Sequence, residues 1–246
     1  VLLQQTLWRR GLTIVTYHGI VPAPLPVPDW CFLDAGAFTE QVRYLGERFA
    51  VAPLEEAAAM LAEGRIERPT AAITFDDGFQ SVHDVAFPIL RSMGLPATVF
   101  LNTGLCGTAD TVWFCRLHGA ICRTTRSVIS WRGQHLDLRS RGLRARASSL
   151  LQARLKDLSH IEMGEEVRRI IAGLGDDPDA PLPPESPYRM LSVEAARALD
   201  ASGLVSLGAH THDHAILTRI DEARRQEEIE GSLRGVSDLT GRPCRV

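Results

Sequence analysis

No apolar run in this 246-residue chain approaches the roughly 18–20 residues that a membrane-spanning helix requires. Cysteine is scarce and unpatterned. The five residues (Cys31, Cys106, Cys115, Cys122 and Cys244) are odd in number and contain no C-x-x-C pair, so reduced, mostly buried thiols are expected in place of a disulfide or structural zinc framework. Neither sign of charge dominates: Lys+Arg 27 against Asp+Glu 30 gives a formal net charge of -3, and no nucleic-acid partner is expected without a strongly basic face. Internal repeats and low-complexity tracts are missing, and a composition that is 45% hydrophobic and 23% charged excludes collagen-like and disordered chains. A signal peptide is also not read at the start, VLLQQTLWRRGLTIVTYHGI, because the arginines follow a short apolar stretch and no small-residue cleavage site comes after. With the reduced thiols, this leads to an expected cytoplasmic location. The chain starts at Val1 instead of Met and stops at Val246 without a clear stop, which reads as cut ends. Nothing in the composition sets an oligomeric state.

What the chain does contain is alternation. Leu12–Thr16 reads as a strand, and Phe38–Phe49 as a helix with Phe38, Val42 and Leu45 on one face. A short strand around Phe49–Ala52 precedes an Ala-rich helix, Leu54–Ala62, that stops at Gly64. Ala71–Phe75 is short, continuously apolar and bounded by Pro69 and Gly78, the signature of a buried parallel strand. Ser81–Met93 is expected to be helical with Val82, Val85, Ile89 and Leu90 inward, followed by a strand at Pro96–Leu101. This β-α-β-α-β-α-β order implies an α/β fold with a mainly parallel sheet. The rhythm breaks between Gly107 and Pro187, where a hairpin around Arg132-Gly133, helices at Arg141–Leu158 and Glu162–Leu174, and a Pro/Asp-rich loop are read as an insertion in a single domain spanning 1–246. It resumes with helix Ser192–Ala201, strand Val205–Ala209 and helix Glu222–Leu239, whose inward face is expected to carry Ile229, Leu233 and Val236.

Two constellations can carry chemistry. Thr74-Phe75-Asp76-Asp77-Gly78 lies where a parallel strand ends, the edge at which ligands gather in such folds. Its paired carboxylates read either as a solvated turn capping the next helix, or as a division of labour between a cation ligand and a free base. The second, Gly208-Ala209-His210-Thr211-His212-Asp213-His214, packs three of the eight histidines into five positions. His210 and His214 are spaced i,i+4, which on one helical turn would bring both rings within reach of one ion. Two imidazoles and a carboxylate make an open, catalytic kind of site for Zn²⁺ or another first-row divalent ion.

TFDDG at Thr74–Gly78 followed by HTHDH at His210–His214 resembles the NodB-type polysaccharide deacetylases, carbohydrate esterase family 4. Tyr17-His18-Gly19-Ile20, the PATVF strand at Pro96–Phe100 and GRPCRV at Gly241–Val246 also look like that family. The resemblance implies a distorted (β/α) barrel of about seven strands. It further implies Asp76 as general base, Asp77, His210 and His214 as metal ligands, and Thr211 as an anchor of the second loop, with His212 outside the pattern. The chain stops about where the family's third motif begins, so a truncated C-terminus is expected, and with it the loss of motifs that serve the oxyanion and the leaving group.

The expected activity is metal-assisted hydrolysis of an N-acetylated glycan, releasing acetate without an organic cofactor. His18 and Trp113 are the candidates for substrate contact. Trp30, Trp113 and Trp131 could stack on sugar rings, with core or rim packing the default reading for each, and Arg139, Arg141, Arg144 and Arg146 read as a solvated helix face in preference to a contact for an anionic polymer. Chitin-like oligomers, peptidoglycan and an exopolysaccharide precursor are all open as substrates, the absent export signal and the insertion favouring exopolysaccharide biosynthesis. Two rival readings stand beside this one: a non-catalytic carbohydrate-binding relative, and a non-haem iron oxygenase using the same two His and one carboxylate.

Overall fold

Residues 11–244 are described by the structure, a computed structural model. The first ten residues, with the start of the stretch weighed as a signal peptide, lie outside them. So do the last two residues of GRPCRV.

Strand β1 (Leu12–Tyr17) leads into a small parallel ribbon of β2 (Gly19–Val21) and β3 (Phe32–Asp34), which the sequence pattern did not announce. Asp34 then caps helix α1 (Ala35–Arg48) by accepting the Ala37 N–H at 3.0 Å, and Phe38, Val42 and Leu45 are buried as their spacing requires. After β4 (Ala50–Val51) and α2 (Leu54–Ala62) comes β5 (Thr70–Phe75), buried at every position as a central parallel strand must be.

The segment expected as one helix from Ser81 begins instead with a π-turn, Val82–Ala86, and becomes α-helical only in α3 (Phe87–Met93). Pro88 explains the correction. It has no N–H for the carbonyl four residues back, so the chain widens and the Phe87 N–H reaches Val82 O. The added residue turns Ala86 and Phe87 inward, leaving Val85 and Ile89 only partly covered.

Beyond β6 (Ala97–Leu101), helix α4 (Trp113–Arg123) was not expected. Seven of its residues are buried, His118 and Gly119 among the apolar ones, and Gly119 in its middle weakens the helical signal. The hairpin β7 (Val128–Trp131) and β8 (Gln134–Asp137) turns through Arg132 and Gly133, both at positive φ, as anticipated. Helices α5 (Arg141–Leu155) and α6 (His160–Gly173) follow, the latter opened by a Ser159/Glu162 capping box. Around Leu117, Ile121, Leu138, Leu151, Leu155 and Ile170 this segment builds a hydrophobic cluster of its own. A third cluster, including Phe79, Phe114, Cys115 and Tyr188, bridges it to the sheet.

Helix α7 (Val193–Ala201), strand β9 (Val205–Ala209) and helix α8 (Glu222–Thr240) complete the described chain. The buried face of α8 is Glu228, Ser232 and Val236: Val236 is inward as expected, but Glu228 and Ser232 take the places expected of Ile229 and Leu233. Ile229 is 42% exposed, whereas Glu228 is fully buried.

The main sheet runs β1-β5-β6-β9, all parallel, with β4 beside the first residues of β5. Thr16, Thr74, Thr98 and Ser206 share one row, and their hydroxyls meet in pairs at 3.0 and 2.9 Å. Among the described residues this sheet is open. The expected barrel of about seven strands does not close, because β1 and β9 are edges with no pairing between them. Four full strands with ordinary twist cannot wrap a cylinder that takes about eight. Parallel pairing puts the C-terminal ends of all four strands on one rim. No helix among the described residues is long and apolar enough to cross a membrane.

Candidate active site

The rim where β1, β5, β6 and β9 end carries the chemistry. At the end of β5 the Asp76 N–H donates to Tyr17 O at 2.9 Å, extending the pairing with β1 by one residue. The chain then turns sharply through Asp77 (φ 69°) and Gly78 (φ 76°). Only glycine suits position 78, since a Cβ there would lie 2.6 Å from Leu101 Cδ2. The turn drives the Asp77 side chain under the rim, where it is 1% exposed, and leaves Asp76 partly exposed above it.

The histidine loop is not the single helical turn that its i,i+4 spacing suggested. The His210 N–H still continues the sheet by donating to Leu101 O at 2.9 Å, and beyond it the backbone is irregular, with Thr211 at φ 65° and His214 at φ 57°. Left-handed φ is rare for a β-branched residue, and such strain costs about 1–3 kcal/mol. The reversal still brings the two rings together, with centroids 5.4 Å apart.

Two neighbours clamp this loop. From the chain after β6, Asn102 donates its Nδ2 to His210 O, the Gly104 N–H donates to His212 O at 2.8 Å, and Thr103 Oγ1 meets His212 Nδ1 at 3.0 Å. From α8, the Glu228 carboxylate accepts the backbone N–H groups of His212 and Asp213, both at 2.8 Å. Thr211 does not anchor the loop through its side chain as expected. Its hydroxyl is buried without a partner, and only its carbonyl is engaged, by the Thr103 N–H at 3.4 Å. Glu228 was missed because a buried charge breaks the apolar stripe by which helix faces are read. The small residues Gly231, Ser232 and Gly235 were the signal that this face lies close against another segment.

Asp77, His210 and His214 come together as their motifs implied. Asp77 Oδ1 lies 3.1 Å from His214 Nε2 and 3.5 Å from His210 Nε2, and one ligand atom from each residue falls within 4.8 Å of the others. Two ligands held about 2.0–2.2 Å from one tetrahedral ion stand about 3.3–3.6 Å apart, so the 3.5 Å pair matches a shared ion and the 3.1 Å pair lies only slightly inside that spacing. The donor chemistry fits too. Both Asp77 oxygens and His214 Nδ1 are buried with no hydrogen-bond donor or acceptor aligned to them, a costly state for a carboxylate unless a cation faces it. Among the described residues this is the one group of such side chains arranged to share an ion.

Electrostatics separates the two aspartates. Burial pushes the Asp77 carboxyl up, but the His214 contact and the charges of His214, His18 and His210 outweigh it and hold Asp77 below its ordinary value. Burial also pushes Asp76 up. There it prevails over the pull of His210, His18 and His214, and the Asp77 charge adds to it, so Asp76 stays above the ordinary carboxylate value. Burial lowers His210 against the attraction of Asp77 and Asp76, favouring the neutral imidazole that ligates metals.

The other candidates fall at different distances from this centre. His18, at the end of β1, stands with its ring 5.2 Å from that of Trp30, which is 65% exposed. Trp113 packs edge-on against Phe114 at 5.7 Å, and Phe114 in turn faces His214 at 5.4 Å, so one ring stands between Trp113 and the ligand cluster. Trp131 is a core residue whose Nε1 donates to Glu166 Oε2 at 2.8 Å. Arg144 departs from the solvated-face reading, since its guanidinium donates to the carbonyls of Leu138, Ile121, Cys122 and Thr124 and closes the end of α4. Cys31 and Cys115 are buried, and burial pushes both thiols up, whereas Cys106, Cys122 and Cys244 are only partly covered, so the expectation of mostly buried thiols holds for two of the five.

The family model described as polysaccharide deacetylase matches residues 63–246. No curated protein matches the chain. Among solved structures, the Streptococcus pyogenes deacetylase PplD in complex with acetate is similar, with a TM-score of 0.54 and 16% identity over 95% of this chain and 70% of that one. BC0361, a polysaccharide deacetylase from Bacillus cereus, gives 0.53 and 16% over 95% of this chain, which spans about half (48%) of that protein. IcaB from Ammonifex degensii gives 0.52 and 19%, covering 96% of this chain and 72% of that one. At these identities the likeness is one of fold.

Proposed function

The chain belongs to the polysaccharide deacetylase family, hydrolases acting on carbon–nitrogen bonds other than peptide bonds, and we propose that it removes N-acetyl groups from an amino-sugar polysaccharide or oligosaccharide with metal-activated water. The observation that carries this reading is the convergence of Asp77 Oδ1 with two imidazole nitrogens at 3.1 and 3.5 Å, beside a second carboxylate of opposite pKa tendency. Asp77, His210 and His214 would hold the ion, Zn²⁺ by donor type. When bound, it would polarise the acetyl carbonyl and bring the pKa of a water toward about 7.

Asp76 acts as the general base. Its carboxylate is not drawn into the ligand cluster, and its raised pKa suits a group that must take a proton from the attacking water and then release it. Water oxygen adds to the acetyl carbon, the carbon–nitrogen bond breaks, and the amine leaves with a proton as acetate forms. His18, directly after β1 on the same rim, is the group we assign to substrate contact. Trp30, beside His18 and largely uncovered, is the rim residue we assign to the sugar ring. The segment carrying α4 to α6 is read as an insertion within one deacetylase domain, tied to the sheet by the shared Phe79–Phe114–Tyr188 cluster. An exopolysaccharide precursor is the substrate we favour.

Asp76→Asn is expected to keep Zn²⁺ stoichiometry while acetate release from N-acetylglucosamine oligomers falls by about 10²–10⁴. Asp77→Asn or His214→Ala should empty the site. Metal content after dialysis and acetate release measure the two separately, and full activity in Asp76→Asn would remove it as the base.

A further inference from the structure

We propose that Glu228 is a positioning residue for the metal site, setting the distance between the His210 and His214 imidazoles by holding the loop that joins them. The inference rests on the reading of Asp77, His210 and His214 as ligands of one ion. It concerns a residue that touches none of those three side chains and belongs to a different element from any of them.

The loop cannot hold its shape by local preference. Two of its five residues, Thr211 and His214, have left-handed backbones, and Thr211 is β-branched with its hydroxyl buried and unpartnered. Some other part of the molecule must determine that shape. The segment after β6 holds the carbonyl side of the loop, at His210 O, Thr211 O and His212 O. The N–H side is held by Glu228, whose Oε2 lies 2.8 Å from both the His212 and the Asp213 nitrogen, in the two central peptide units of the four between the ligands. A charged acceptor taking two N–H groups makes stronger bonds than a neutral one and fixes both peptide planes at once.

Burying a carboxylate to do this requires compensation, and the structure provides it. Glu228 is fully buried, and Arg224, one helical turn earlier, places Nη2 2.9 Å from Glu228 Oε1 while also pairing with Asp213 Oδ2. The arginine thus neutralises Glu228 and ties the same loop residue from its side-chain end. The two glycines of this helix face leave room for the arrangement: Gly231 lies against His212, and Gly235 against Thr103, which itself holds His212 Nδ1. A helix surface shaped to receive the histidine loop and a buried acid bonded to its backbone together give α8 a defined task.

The test is metal binding itself, with Zn²⁺ titrated against a chromophoric chelator and Co²⁺ used for its visible ligand-field spectrum. Glu228→Gln keeps the length and one acceptor oxygen but loses the charge that answers Arg224, and its Zn²⁺ affinity is expected to fall about 10-fold. Glu228→Ala should fall about 100-fold, with a shifted Co²⁺ spectrum and a kcat lowered more than KM is raised. A residue that only stabilised the fold would lower the melting temperature without moving affinity or spectrum at 20 °C. Wild-type Zn²⁺ affinity and an unchanged Co²⁺ spectrum in folded Glu228→Gln and Glu228→Ala would overturn the proposal. If Glu228→Ala does not fold, Glu228→Gln alone decides. Should the wild-type protein bind Zn²⁺ no better than His214→Ala, the ligand reading fails first, a result distinct from failure of the Glu228 role.

Discussion

Asp76 carries its charge where its surroundings resist one, and that has a consequence for stability. A carboxyl whose folded pKa lies above its unfolded value costs stability above the folded value, where the native chain holds the disfavoured charge. Below the unfolded value both states are protonated and the cost vanishes. Asp76→Asn is therefore expected to raise the melting temperature of the metal-free protein at neutral pH, with a gain that shrinks as the pH falls into the acid range. Thermal scans in EDTA across pH measure it, and a lower melting temperature at pH 7 would contradict the assigned shift. Position 77 is different in kind. Its left-handed backbone suits Asp or Asn far better than Glu, and of those two only Asp brings a negative charge, so conformation and ligand chemistry select the same side chain. These residues were legible in the sequence because each follows a strand end that apolar runs had already located. Glu228 was not, since its charge reads as one more solvated acid and only the small residues Gly231, Ser232 and Gly235 beside it point to a close contact.

At the scale of elements, α8 shows how close contact and helix propensity oppose each other. A Cβ on Gly231 would meet His212 atoms no nearer than 3.6 Å, an ordinary contact, whereas on Gly235 it would press to 2.7 Å from Thr103 Cβ. Gly231→Ala should stabilise the protein by up to about 1 kcal/mol through helix propensity. Gly235→Ala should destabilise it by about 1–3 kcal/mol through overpacking. Urea unfolding of the pair reads both, and equal signs would show that α8 does not sit where described. The elements found from sequence were those with a single dominant period: α1 with its Phe38–Val42–Leu45 stripe, and β5 with its uninterrupted apolar run. Those missed obey a different rule. Helix α4 is buried nearly all round, the π-turn before α3 follows from one missing N–H at Pro88, and the β2–β3 ribbon is only three residues long on each side. The histidine loop was assigned a helical geometry from spacing alone, and hydrogen bonds from β6 and α8 override it.

At the scale of the molecule, two of the apolar clusters among the described residues divide the labour, with the Phe79–Phe114–Tyr188 cluster between them. One underlies the parallel sheet, and the other, around Leu117, Leu151 and Leu155, belongs to the segment between β6 and α7. Leu151→Ala is expected to cost about 2–5 kcal/mol. In hydrogen exchange it should open α4, α5 and α6 before β5, and loss of protection in β5 at the same rate would mean that the two bodies unfold as one. The open sheet of the described residues was the large-scale property least accessible from the sequence, since closure depends on strand number, tilt and stagger together. The rim residues nevertheless lie on opposite sides of that long excursion, Asp77 before it and His210 and His214 after it. An ion lodged among them would clasp the chain across its widest detour, a grip that the unfolded polymer cannot form. At a hundredfold excess over its dissociation constant such a clasp contributes about 2.7 kcal/mol, so occupancy and endurance of the fold would rise and fall together.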